Sequence, residues 1–202
     1  MRIFISLDIP EDIRQRMERF VDGVRNFAPE ARWVRTESLH VTLKFIGEKN
    51  LEEVETIRET LSSVQGHSMD IQFGGFGFFP NPRSARVFWA GIESGPGLFE
   101  LAMQVDEAMA SLNIPKEDHP FSPHLTLARA GRESSGNPRQ RKGDKPNRHF
   151  AKLQEKLATL SPPEFGTMTA REFFLYQSQL GRDGSRYTKI GQFALRSSKP
   201  IL

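Results

Sequence analysis

Leu39-His40-Val41-Thr42-Leu43 and Pro123-His124-Leu125-Thr126-Leu127 repeat one pattern, histidine, apolar, threonine, apolar, 84 positions apart. In an extended strand successive side chains point to opposite faces. His40 therefore shares a face with Thr42, and His124 with Thr126, while Val41, Leu43, Leu125 and Leu127 turn to the other side and into a core. An imidazole beside a hydroxyl is a proton carrier beside a hydrogen-bond donor, and two such pairs facing each other suit an oxyanion such as a phosphate. Either motif alone would read as the polar face of a half-buried strand. The duplication is what points to chemistry.

Outward from the motifs, apolar periodicity predicts a strand over 1–8, an amphipathic helix over 10–27 opened by Pro10-Glu11-Asp12, and the first motif strand over 38–46, stopped by Gly47. A helix over 51–64 and a strand over 69–79, ended by Pro80-Asn81-Pro82, complete the first half. The second half repeats the order: strand 85–92, helix 96–112, motif strand 123–129, helix 150–160 and one long strand over 165–177. A last strand over 186–194 follows the turn Gly181-Arg182-Asp183-Gly184. A shift of 84 lays Phe4 on Phe88 and His40 on His124, an internal repeat of about 1–82 and 83–180. The expectation is a single α+β domain over 1–202, bilobal, with two lobes related by an approximate two-fold. Each lobe is a mainly antiparallel sheet with outer helices, arranged around a central cleft.

The absence of cysteine from 202 residues removes disulfides, thiolate catalysis and cysteine-ligated zinc, and fits a reducing, cytoplasmic setting. No stretch approaches a membrane span or a signal-peptide core. Net charge is only +3 but unevenly placed. Residues 131–148 hold Arg132, Arg139, Arg141, Lys142, Lys145 and Arg148 against Glu133 and Asp144, in a Gly/Ser/Asn/Pro-rich stretch that reads as a basic loop. A charge run in a loop is more often a solvated face than a ligand site; beside a phosphate site, a polyanionic partner such as RNA becomes its equal alternative.

The pair of motifs suits metal-free hydrolysis of a strained cyclic phosphate, since one histidine can deliver a proton while the other removes one. Thr42 and Thr126 would hold the non-bridging oxygens. No His-x-x-x-His or carboxylate cluster flanks either motif, so no metal and no cofactor is expected. By strand parity Lys44 joins the His40 face, where its ammonium could assist a phosphate; a solvated lysine at a strand end is the equal alternative. Phe45 and Arg129 each follow their histidine by five residues, and parity turns both away from the phosphate. Only if the strands end or bulge there could an aromatic face and a planar guanidinium sandwich a nucleobase.

The segments Leu39-His40-Val41-Thr42-Leu43-Lys44-Phe45-Ile46-Gly47 and Phe121-Ser122-Pro123-His124-Leu125-Thr126-Leu127-Ala128-Arg129 resemble the two signature motifs of the 2H phosphoesterase superfamily. More narrowly, the chain is similar to its bacterial and archaeal RNA 2′,3′-cyclic phosphodiesterases, the 2′-5′ RNA ligase family. The likeness extends from Arg2-Ile3-Phe4-Ile5 to Arg186-Tyr187. It implies a bilobal fold and metal-independent conversion of an RNA 2′,3′-cyclic phosphate to a 2′-phosphate, with reversible 2′-5′ ligation. It also implies His40 as proton donor, His124 as proton acceptor, Thr42 and Thr126 on the phosphate, and Phe45 with Arg129 near the terminal base. The partners implied are RNA ends, tRNA fragments and nucleotides, with no membrane, no obligate protein partner and a monomeric chain. Two other readings stand beside it: an RNA-end-binding module without turnover, and the same catalytic pair acting on a small cyclic nucleotide or a 2′-5′ linkage.

Overall fold

A computed structural model describes residues 1–131, 149–181 and 184–197. The six basic residues of the predicted loop, Arg132 to Arg148, lie outside them. Nine strands and four helices alternate among the described residues: β1 Arg2–Leu7, α1 Glu11–Val24, β2 Arg32–Trp33, β3 Val41–Glu48, α2 Leu51–Leu61, β4 Met69–Phe79, β5 Val87–Ser94, α3 Pro96–Ala110, β6 His124–Arg129, α4 Ala151–Leu157, β7 Glu164–Ala170, β8 Glu172–Gly181 and β9 Gly184–Ala194. None of these helices is long and apolar enough to cross a membrane.

The strands form two antiparallel sheets, one ordered β3-β1-β8-β9 and the other β2-β6-β5-β4-β7. The architecture is α+β, as expected, but the sheets are not the two halves of the sequence. β2 and β4, from the first half, join the second motif's sheet, and β8 and β9 complete the first motif's sheet. The predicted long strand over 165–177 is in fact two, broken at Arg171, with β7 in one sheet and β8 in the other. The adjacent charged pair Arg171-Glu172 interrupts the alternation, but it does not say that the chain changes sheet there; the partners on either side impose that.

A single buried core joins both sheets. α1 contributes Ile13, Met17, Val21 and Val24, spaced at three and four residues along one face, and packs against β7 and α4. α3 contributes Leu98, Leu101, Ala102, Val105 and Met109 and packs against β3 and α2. Full burial of each large aliphatic side chain contributes about 1.5–3 kcal/mol, which fixes both helices, and the loops they anchor, behind the motif strands. A smaller cluster of Phe4, Phe174 and Tyr176, flanked by Tyr187, lies apart from this core. Its strand parity places it on the opposite face of the first sheet from Ile3, Ile5 and Leu7.

Both motif strands bulge at the same place. In the β1–β3 ladder Ser6 opposes Thr42 and Ile5 opposes Lys44, so Leu43 is an extra residue. In the β5–β6 ladder Trp89 opposes Thr126 and Phe88 opposes Ala128, so Leu127 is extra. An inserted residue resets the two-residue alternation for everything after it. Gly47, expected to stop β3, lies inside it at φ 95°, a left-handed conformation that glycine adopts without the Cβ clash, next to a second irregularity at Ile46.

Candidate active site

A cleft of about 500 Å³ is lined by His40, just before β3, and by Thr42 and Phe45 on it, and by His124, Thr126 and Arg129 from the second sheet. Residues of β3 and β6 approach within 8 Å, Cα to Cα, across it. Six of the seven side chains singled out from the sequence therefore share one cavity. The bulges decide which. After Thr42, Leu43 and Lys44 are both buried and Phe45 emerges, 59 % exposed. After Thr126, Leu127 and Ala128 are both buried and Arg129 emerges. Simple parity had turned Phe45 and Arg129 away, and one extra residue per strand turns them back.

The same reset removes Lys44, the seventh. It does not line the cleft. Its side chain is 1 % exposed, and Nζ donates to the Asp106 carboxylate at 2.5 Å and to the Pro115 carbonyl at 2.9 Å, with Glu117 Oε1 at 3.6 Å. The expectation that its ammonium assists a phosphate is corrected: it ties β3 to α3 and to the segment beyond α3.

The two histidines are held alike. His40 Nδ1 lies 2.8 Å from the Ser38 carbonyl oxygen, and His124 Nδ1 lies 2.8 Å from that of Ser122. A carbonyl only accepts, so Nδ1 carries the proton in both rings, leaving Nε2 as the nitrogen available to a ligand. Aromatic neighbours fix the ring planes. Phe4 lies against His40 with centroids 4.6 Å apart, and Tyr187 meets it edge-on at 5.2 Å. Phe79 meets His124 edge-on at 4.9 Å. Phe4 in turn stacks on Tyr176 at 5.4 Å, so the small aromatic cluster forms the seat of His40.

Burial among these rings pushes both imidazoles below their ordinary value of 6.5, because the charged form loses hydration. The Ser38 and Ser122 carbonyls oppose that effect by accepting from Nδ1. Asp8 also favours the charged form of His40, whereas Arg14 disfavours it, and Arg129 disfavours it in both histidines.

Arg2, Phe4 and Tyr187 also line the cleft. The sequence carried only a partial signal for them: alternation in β1 places Arg2 and Phe4 on one face. Nothing local says that this face adjoins His40. Tyr187 arrives from β9, some 147 residues later, through pairing with β8.

With this geometry in place, comparison with known proteins is informative. The family model described as LigT like phosphoesterase matches residues 7–89 and 92–187. An RNA 2′,3′-cyclic phosphodiesterase of Archaeoglobus fulgidus is 33 % identical over 193 residues, covering 96 % of this chain and 99 % of that protein. The Escherichia coli K12 protein of the same name is 27 % identical over 197 residues, covering 96 % of each. Among solved structures, E. coli LigT complexed with 3′-AMP superimposes with a TM-score of 0.74 at 27 % identity, over 96 % of this chain and 97 % of that one. A crystal structure of a phosphoesterase does so at 0.75 and 27 % identity, over 96 % and 98 %. Matched along most of its length, with the histidine and threonine of each motif lining one cleft, the chain belongs to the LigT-like phosphoesterases of the 2H superfamily.

Proposed function

We propose that this protein hydrolyses RNA 2′,3′-cyclic phosphate ends to 2′-phosphomonoesters, with His40 and His124 as the acid–base pair. The observation that carries the reading is the shared cleft: two imidazoles with Nδ1 tied to backbone and Nε2 free for a ligand, each accompanied by a threonine two residues on. Water attacks phosphorus and gives its proton to Nε2 of neutral His124. The bond from phosphorus to the 3′-oxygen breaks, and that oxygen takes a proton from Nε2 of His40. Thr42 and Thr126 donate to the non-bridging oxygens, where charge builds in the transition state. Burial disfavours the imidazolium of His40; a bound phosphodiester anion opposes that effect and supports the protonated acid. With an RNA 5′-hydroxyl in place of water, the same groups join ends through a 2′-5′ bond.

The direct test incubates the protein, with EDTA present, with an oligonucleotide ending in a 2′,3′-cyclic phosphate. A 2′-phosphate product is expected. Unchanged substrate, or a 3′-phosphate product, would overturn the assignment. Binding without turnover, steeply weakened by salt, would instead support the binding-module reading.

The profile of kcat/KM against pH should be a bell whose maximum lies below pH 6.5. The alkaline limb is loss of the acid, the acidic limb protonation of the base, and the maximum sits midway between the two macroscopic values of the pair. Burial depresses both histidines below 6.5, so the midpoint falls there too. Arg129→Gln removes a positive charge that disfavours both imidazolium forms and should move the maximum upward; a maximum above pH 7 in the unaltered protein would contradict the assignment.

Phe45 and Arg129 face the cleft beyond the threonines, where a base could lie between ring and guanidinium. Base stacking is worth about 1–3 kcal/mol. Phe45→Ala should therefore raise KM about tenfold with a smaller effect on kcat, and Phe45→Trp should retain affinity. Equal KM values for Phe45→Ala and the unaltered protein would remove Phe45 from the base site.

A further inference from the structure

We propose that Arg14 is a positioning residue for His40: it holds the turn whose last carbonyl fixes the imidazole. This rests on the reading of His40 as a catalytic group.

The seat of Nδ1 is the carbonyl of Ser38, the last residue of a 3-10 turn over Thr36–Ser38. Within itself the turn has little support, with backbone hydrogen bonds from Ser38 to Arg35 and from Leu39 to Thr36. Arg14 adds hydrogen bonds from outside the turn. Its Nε donates to the Ile9 carbonyl at 2.9 Å, and one terminal nitrogen donates to the carbonyls of Thr36 at 3.0 Å and Glu37 at 2.6 Å. One planar guanidinium thus joins the connection between β1 and α1 to two successive peptides of the turn, directly before the peptide that orients His40. Arg14 is itself fixed. It sits on α1 at the edge of the face that buries Ile13, Met17 and Val21, and is half-buried. A lysine carries the same charge, but its single ammonium lacks the fork that reaches both β1 and the turn.

Arg14 also lines a second cavity of about 270 Å³ that shares His40 and Tyr187 with the main cleft. Besides Arg14, the charged or titratable groups that line these two cavities with His40 are Arg2 on β1, Asp8 just after it, Glu37 on the turn, His124 and Arg129 on β6, Tyr176 on β8, and Tyr187 and Lys189 on β9. Asp8 is itself engaged, accepting from the Tyr176 hydroxyl and pairing with Lys189 at 2.6 Å. Removing Arg14 therefore acts on His40 by two routes of opposite sign. Losing the positive charge favours the imidazolium. Loosening the Ser38 carbonyl disfavours it, and the carbonyl is the stronger of the two influences. A positioning role thus predicts a net fall in the His40 pKa, whereas a role as nearby charge alone predicts a rise.

The experiment compares Arg14→Gln, Arg14→Lys and the unaltered protein by NMR titration of the His40 ring and by kcat and KM on a cyclic-phosphate RNA end. Arg16→Gln serves as control, since Arg16 on the same helix donates to the Phe165 carbonyl and pairs with Asp12, away from the turn. Arg14→Gln should lower kcat about 10–100-fold, as for sub-ångström to ångström misplacement of a reacting group, with KM little changed. Its His40 should titrate lower still, Arg14→Lys should fall between, and Arg16→Gln should match the unaltered protein. An unchanged kcat, or a raised His40 pKa in Arg14→Gln, overturns the proposal. Should Arg14→Gln fail to fold, Arg14→Lys decides: lowered kcat and His40 pKa support it, and unaltered values of both overturn it. The titration needs no substrate, so its outcome stands apart from the catalytic reading, which fails separately if His40→Ala turns over RNA ends normally.

Discussion

Replacing His124 or His40 with alanine should lower kcat on a cyclic-phosphate RNA end by about 10²–10⁴, the range of a single general acid or base. KM should change far less, because neither ring is the main binding contact if Thr42, Thr126, Phe45 and Arg129 hold the ligand. The double variant should be little worse than either single one, since groups that act as a unit do not contribute additively. Folding is the necessary control. Each ring packs against aromatic neighbours, Phe4 and Tyr187 for His40 and Phe79 for His124, so truncation leaves a small gap. That gap gives a second readout: added imidazole should enter it and restore part of the rate. Normal turnover by either alanine variant would end the two-histidine mechanism.

Lys44→Met should destabilise the fold by about 3 kcal/mol, the scale for leaving one partner of a buried pair uncompensated. For a domain of this size that corresponds to a fall in Tm of about 6–12 °C. The methionine matches the lysine stem but abandons the Asp106 carboxylate, whose side chain is 22 % exposed and keeps only a 3.3 Å hydrogen bond from the Glu117 backbone among its present contacts with Lys44 gone. Replacing both partners, Lys44→Met with Asp106→Leu, should recover much of the loss, since an apolar pair of similar volume pays no desolvation. KM for the RNA end should stay near that of the unaltered protein at a temperature where Lys44→Met is folded. A large rise in KM with undiminished Tm would return Lys44 to the phosphate.

The contrast between Lys44 and Phe45 shows how far local pattern reaches. His40 with Thr42, and His124 with Thr126, were legible because each pair precedes the bulge, where two-residue alternation still holds. Lys44, Phe45 and Arg129 follow it, and there alternation gives the wrong face. Nothing in Leu43 or Leu127 marks it as the extra residue, since a leucine fits a regular strand as well as a bulge. The single predicted strand over 165–177 failed for a related reason: the charged pair Arg171-Glu172 fits an exposed stretch of one strand as well as the point where the chain leaves one sheet for the other.

By itself the sequence determined most of the secondary elements, though not β2 or the division of β7 from β8, together with the α+β class and the two histidine–threonine pairs, because these follow from side-chain spacing along a few residues. Tertiary structure alone decided that the two pairs line one cleft, that Phe45 and Arg129 face it while Lys44 does not, and that Phe4, Tyr187 and Arg14 surround His40. Those depend on strand register, bulges and sheet partners, which are set by contacts between segments far apart in the chain and leave no periodic trace in any one of them.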